Sequence, residues 1–263
     1  MHETEQPTIR LRGVAKRFGD NRVLEDVTLD VYRGQHMALI GSAASGKTVL
    51  LKCIVGLHKI DAGSIAIDGK EVSRLSASER EEMLDKFGVL FQRSALFDSQ
   101  TVWENITFKP LNRGHVKRRV ARELAIEKLR QVGMKPETAD LLPSDLSGGM
   151  QKRVALARAI MEEPDILLLD DPTAGLDPIL TRVINQLIGR LADETGATIL
   201  SVTSDMDAMR RDYDQTAMLH EGQIIWIGAT ADIETADNPY LAQLVHGRAE
   251  GPIKMRVRHP DLV

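Results

Sequence analysis

The sequence predicts an α/β fold with a mostly parallel sheet, a short antiparallel β subdomain at its start and a helical block inserted in its middle. Three observations predict it. Apolar runs of strand length alternate with stretches of helical spacing, the rhythm of a parallel sheet with helical crossovers. One such run, His36 to Ile40, ends in glycine and feeds a helical segment. Between about Gln92 and Met161 the β signal fades and helical periodicity takes over.

In chain order, Ile9 to Val14 and Val27 to Val31 alternate as strands on either side of a turn at Phe18-Gly19-Asp20-Asn21. Lys47 to Val55 has helical spacing, and Gly63 and Gly69 bracket a strand over Ser64 to Ile67. Phe87 to Phe91 reads as a buried strand before the helical block, which includes the charged stretch Val116 to Gln131. Ile166 to Leu169 is a strand, Pro178 to Leu191 a helix and Thr198 to Val202 a strand. Gln215 to Leu219 and Gln223 to Ile227 form a hairpin over His220-Glu221-Gly222. Asn238 to Val245 ends the helices, and Gly251 to Val263 reads as a basic extended arm. The expected division is a single domain over 1–263. Its core is 8–91 and 162–235, its helical insertion 92–161, and its C-terminal helix and tail 236–263.

The 263 residues are 43% hydrophobic and 27% charged, an ordinary globular composition. A net charge of −4 argues against a dedicated nucleic-acid binder, which usually carries a basic surplus. The single cysteine, Cys53, lies among Leu50, Leu51, Ile54 and Val55 and reads as core. The start, Met1 to Pro7, is polar and acidic, unlike a secretory signal. The longest aliphatic run, Ile166 to Leu169, falls far short of the ~20 residues that span a bilayer. A membrane role would need a partner to supply the spanning helices. The basic cluster Arg113, Lys117, Arg118, Arg119 and Arg122 is either a solvated helix face or a contact for lipid headgroups or a partner.

Chemistry concentrates at Gly41-Ser42-Ala43-Ala44-Ser45-Gly46-Lys47-Thr48, which fills every fixed position of G-x-x-x-x-G-K-[ST]. Gly41 and Gly46 permit a backbone that turns amides inward as an anion nest. The helix that starts there presents its positive end to phosphate. Lys47 can reach the β- and γ-phosphates of ATP, and the Thr48 hydroxyl can ligate Mg²⁺. An acidic partner for Mg²⁺ belongs at the end of a buried strand, and Ile166 to Leu169 runs into Asp170.

Leu146-Ser147-Gly148-Gly149-Met150 opens a helical run upstream of Asp170. Ser-Gly-Gly before a helix can be a mere cap, but this placement resembles the signature sequence of ABC ATPases. The resemblance covers nearly the whole chain and implies a P-loop NTPase (RecA-like) core. It also implies a head-to-tail dimer, each ATP lying between one chain's phosphate loop and the other's signature helix. It puts Phe18 where an aromatic stacks on adenine, and Gln92 where the Q-loop glutamine touches Mg²⁺ and the attacking water. Ala174-Gly175-Leu176-Asp177 resembles the D-loop that crosses to the partner. Within the family the chain is most similar to the MlaF branch, which energises phospholipid traffic through MCE-domain transporters. The stretches that carry this are Leu90 to Asp98, Thr101 to Ile106, Leu142 to Met150, Asn238-Pro239 and Gly251-Pro252-Ile253. The resemblance thus implies a peripheral subunit on the cytoplasmic face of a bacterial inner membrane. Its implied partners are an integral membrane permease, an MCE-domain lipid-binding protein and a second ATPase chain. Ala95 to Asp98 is either plain core or the border of the groove for the permease.

Two positions depart from the family pattern. Asp171 stands where ABC ATPases usually place a glutamate as general base, one methylene short, and a displacement of about 1 Å can slow catalysis on the order of 100-fold. Thr203-Ser204-Asp205 stands where a histidine usually contacts the γ-phosphate, and Ser204 can offer only one short hydrogen bond. His220 lies too far along to replace it. A milder change is Ala43-Ala44 within the phosphate loop. The partner-facing Ser147, Gly148, Gly149 and Asp177 are intact. Two readings follow: a homodimer with two slow, working sites, or a heterodimer in which this chain's own loop holds ATP as a clamp. Other open readings are an ABC ATPase for another solute and, disfavoured for want of a second ATPase domain or a coiled coil, a soluble ABC protein of translation or DNA repair.

Overall fold

The computed structural model describes residues 6–92 and 94–254. Along the chain run β1 (Ile9–Phe18), β2 (Asn21–Val31), β3 (His36–Ile40), α1 (Lys47–Ile54), β4 (Ala62–Ile67), β5 (Lys70–Glu71), α2 (Ala77–Asp85) and β6 (Phe87–Leu90). The helical stretch follows: α3 (Val102–Ile106), α4 (Phe108–Asn112), α5 (Arg118–Gln131) and α6 (Gly148–Ala159). Then come β7 (Ile166–Asp170), α7 (Pro178–Thr195), β8 (Thr198–Val202), α8 (Met206–Asp212), β9 (Gln215–His220), β10 (Gln223–Ala229) and α9 (Pro239–Val245).

The strands form two sheets. One is antiparallel, ordered β2-β1-β4-β5. The other is ordered β10-β9-β3-β8-β7-β6, parallel except for β10 at its edge. Successive side chains of a strand face opposite ways, so the parallel sheet divides its residues between two cores. Ala38, Ile40, Leu167, Leu169 and Ile199 face one core, with α3, α5, α6 and α7. Met37, Leu39, Ile166, Leu168 and Leu200 face the other, with the antiparallel sheet and α1. Burial on both faces explains why these strands read as continuous aliphatic runs.

Several expected elements change. β1 and β2 run much further toward their turn than the alternation suggested, leaving Gly19-Asp20 as the turn and Phe18 at a strand end. Their outer halves carry Lys16, Arg17, Arg22 and Glu25, which an exposed strand end tolerates and a hydrophobic pattern overlooks. Helix α2 buries only Met83, so it has no apolar stripe to announce it; its Ser76–Glu79 capping box starts it. Helix α8, started by the Asp205 cap, is a second unforeseen element. The beginning of the expected extended arm is instead folded back, because the Gln243 side chain accepts from Ile253 N–H at 2.7 Å and donates to the Ile253 carbonyl at 3.1 Å. The rest of that arm, with its basic residues from Met255 on, lies outside the described residues, as do Arg93 of the Q-loop stretch and the N-terminal residues before Gln6. In the basic cluster, Arg113 pairs with Asp85 and Glu81, Arg118 with Glu104, and Arg122 with Asp140. Those three charges are already matched within the chain, which favours the solvated-face reading. No helix among the described residues is long and apolar enough to cross a membrane.

Candidate functional site

The parallel strands β3, β8, β7 and β6 lie side by side, and each ends at the same edge. Val202 pairs with both Leu39 and Asp170, while Leu90 pairs with Leu169. Four loops therefore emerge together: Gly41 to Gly46, the turn at Asp171, Thr203-Ser204, and the segment holding Gln92. Ligands of open α/β sheets bind outside these carboxyl ends.

Glycine is required at both anchor points of the first loop. A Cβ on Gly41 would meet the Leu219 carbonyl oxygen at 2.1 Å, and one on Gly46 would meet the Val23 carbonyl oxygen at 2.8 Å. Gly46, at φ 104, is the residue from which α1 starts. Ala44 sits in the left-handed region at φ 59, where the more usual glycine would be unstrained. Asn21 and Val23 of β2 join residues 44–49 in lining a cavity of about 300 Å³. Neither was foreseen; their part depends on β2 reaching back over the loop. Phe18, a 45% exposed residue, is paired across the ladder with Asn21, its ring edge-on to His58 at 5.2 Å and with the Lys16 ammonium over it at 5.2 Å.

Lys47 folds over its own loop, donating to the carbonyls of Gly41 (2.9 Å) and Ser42 (2.7 Å) and to Ser45 Oγ (3.2 Å). Burial lowers its pKa, opposed by the pull of Asp171 and Asp170. Thr48 Oγ1 donates to Asp170 Oδ1 at 3.0 Å. Burial, at 3% exposure, holds the Asp170 carboxyl above the ordinary carboxylate range against the Thr48 hydrogen bond, and the neighbouring Asp171 adds to the shift.

Asp171 takes a left-handed backbone at φ 50, with its N–H on the Val202 carbonyl at 3.0 Å. Ser204 Oγ donates to Asp171 Oδ2 at 3.0 Å. The two residues that depart from the family pattern are thus bonded to each other. His220 ends β9, beside the Leu219 that Gly41 approaches, and its ring packs against that of Tyr240 at a tilt of 47°, with centroids 4.9 Å apart. Its Nδ1 is buried without a hydrogen-bond partner among the described residues.

Gln92 is exposed, and its carbonyl accepts from the ammonium of Lys152 on α6. Arg158, further along the same helix, donates to the carbonyls of Ser94 and Ala95, each at 2.7 Å. Burial lowers the pKa of both cations. Neither residue was singled out in the sequence, where a basic residue on a helix reads as solvated.

The ties among residues 41–48, 170, 171 and 204 do not extend to the second expected group. Ser147 caps α6, accepting from the Met150 N–H at 3.3 Å, and stays exposed with Gly148. Asp177 caps α7, accepting from Ile179 and Leu180 N–H at 2.9 and 3.0 Å. A Cβ on Gly149 would lie 3.2 Å from the Leu180 side chain, so the start of α6 lies against the first turn of α7. Among the described residues no three His, Cys, Asp or Glu side chains are grouped to hold a metal unaided.

The family described as ABC transporter matches residues 24–174. The probable ribonucleotide transport ATP-binding protein mkl of Mycobacterium leprae is 40% identical over 249 residues, 94% of this chain and 71% of that protein. The intermembrane phospholipid transport system ATP-binding protein MlaF of Haemophilus influenzae is 32% identical, over 98% of this chain and 97% of its own. Among solved structures, the ATP-binding cassette MJ0796, a dimer in a post-hydrolysis state with ADP and Pi, aligns with a TM-score of 0.78. It is 30% identical and covers 84% of this chain and 98% of that one.

Proposed function

We propose a function from one premise: the chain belongs to the ABC transporter family and is an ATP-binding, ATP-hydrolysing subunit. On our reading it drives phospholipid transport between membranes, as a dimer on the cytoplasmic face of a bacterial inner membrane. An integral permease and an MCE-domain lipid-binding protein would be its partners. The observation that carries the site is the Thr48–Asp170 hydrogen bond, which sets a hydroxyl and a carboxylate beside the glycine-anchored loop. The lipid is supported by the end-to-end likeness to MlaF.

The donor set fits Mg²⁺ brought in with ATP. Such an ion needs one or two protein oxygens, the phosphates and water supplying the rest. Thr48, Asp170 and Gln92 would hold it, and its charge would offset that of the phosphates. The loop amides of 41–48 and the start of α1 bind the phosphate oxygens. Lys47, now satisfied by three oxygens of its own loop, turns outward to the β- and γ-phosphates. The exposed Phe18 ring offers a face to adenine. Asp171 accepts the proton of the attacking water, and Ser204 orients Asp171. Ser147, Gly148, Gly149 and Asp177 are presented to the nucleotide of the second chain.

The test is purification of the full chain with its native membrane partners, followed by ATPase assay in phospholipid vesicles. Co-purifying permease and MCE-domain chains, with turnover that responds to phospholipid, support the reading. A permease for an unrelated solute sinks the lipid while leaving the ATPase. A second reading, a ribonucleotide as solute, draws on the mycobacterial relative, and the same vesicles loaded with ribonucleotide distinguish it.

A further inference from the structure

Lys152 is 6% exposed, yet it makes no ion pair among the described residues. A buried ammonium without a carboxylate is costly, and usually earns its place by another contact. Its contact is the Gln92 carbonyl. Two residues beyond, Ser94 and Ala95 hold consecutive left-handed backbones at φ 59 and 48. Residues with side chains keep such a shape only where the surroundings hold it, and Arg158 holds it by both carbonyls. Both cations come from α6, the helix that Ser147 caps. The segment carrying Gln92 is thus strapped to the helix presented to the second chain.

We propose that Lys152 is a positioning residue for ATP hydrolysis, fixing the Gln92 carbonyl and thereby where the Gln92 side chain enters the site. This rests on the reading of Gln92 as the residue that meets Mg²⁺ and the attacking water. It gives α6 a direct hold on that glutamine, so a shift of the helix on dimer closure moves the catalytic edge with it.

The experiment compares full-length wild type, Lys152→Met, Lys152→Arg and Gln92→Ala by steady-state phosphate release over a range of ATP. ATP affinity by competition with a fluorescent analogue and thermal melting are measured alongside. Lys152→Met is expected to lower kcat by about 10- to 100-fold, since small misplacements of catalytic groups are that costly. ATP affinity should stay within about threefold and Tm should not fall, because a buried, unpaired charge has been removed. Lys152→Arg, which keeps charge and donor, should restore most of the rate. Wild-type turnover in Lys152→Met beside a slow Gln92→Ala overturns the proposal alone. So does a Tm that falls in step with kcat, or a Lys152→Arg protein as slow as Lys152→Met. Wild-type turnover in Gln92→Ala overturns the reading of Gln92 itself, and the proposal with it.

Discussion

Ser204→Ala removes one hydroxyl and asks whether residue 204 works through Asp171 or on the nucleotide. The hydroxyl donates to Asp171 Oδ2 at 3.0 Å, while the Asp171 backbone is fixed at φ 50 by its own bond to Val202. A shielded hydrogen bond to a charged acceptor is worth about 1.5–3 kcal/mol. Ser204 is exposed, so competition with water reduces this to about 1 kcal/mol. At 1.36 kcal/mol for each factor of ten, kcat should fall about fivefold. KM for ATP should hardly change. Asp171→Asn keeps a short side chain that tolerates the left-handed backbone, but cannot take a proton. It should lose on the order of 10²- to 10⁴-fold in kcat. The double variant should be no slower than Asp171→Asn, because Ser204 has nothing left to orient. Phosphate release by the full chain, measured over a range of ATP, gives all three numbers. A Ser204→Ala protein that lost about 100-fold and bound ATP worse would place the hydroxyl on the nucleotide and refute this reasoning. Multiplicative losses in the double variant would refute it as well.

Asp171→Glu should bring no acceleration by itself, because the longer acid is less at home at φ 50 and loses the Ser204 bond; a clear rise in kcat would contradict this. Gly41→Ala should unfold or strongly destabilise the chain, by about 3 kcal/mol or more in urea melts, since its Cβ would meet the Leu219 carbonyl oxygen at 2.1 Å. Burial keeps Asp170 above its unfolded pKa, so the folded chain binds its proton more tightly and loses stability as pH rises through that interval. Asp170→Asn should therefore melt no lower than wild type without ATP at neutral pH, while Mg²⁺-dependent turnover collapses. Burial also pushes the Cys53 thiol up to about 11 from 9.0, so the unfolded chain ionises first and stability falls as pH climbs between those values. Cys53→Ala should lack that part of the alkaline slope in paired urea melts.

How much was legible beforehand follows from what each feature depends on. β3 and β8 match their expected limits because each is a short apolar run buried on both faces. Helices α2 and α8 were missed because their stability comes from caps, at Ser76 and Asp205, and not from an apolar stripe. The loop from Gly41 to Thr48 and the aspartate ending β7 were legible because their chemistry is local and fixed in spacing. The Lys152–Gln92 strap and the cavity wall at Asn21 and Val23 were not, since both join segments far apart in the chain.

The Ser204–Asp171 bond belongs to that second kind, and it changes what the two departures mean. Considered separately, a short acid and a missing imidazole are two losses, which suits a chain whose own loop merely holds ATP. The register of β7 against β8 brings them together, with Asp170 opposite Val202. The left-handed turn at Asp171 then aims its carboxylate to within 3.0 Å of the serine. A site that only clamps nucleotide has no need to orient a carboxylate beside the phosphate loop. An oriented acid is what proton transfer from water requires. The pair is the arrangement that the proposed working site calls for, and the rates of Ser204→Ala and Asp171→Asn decide whether this loop turns ATP over or only holds it.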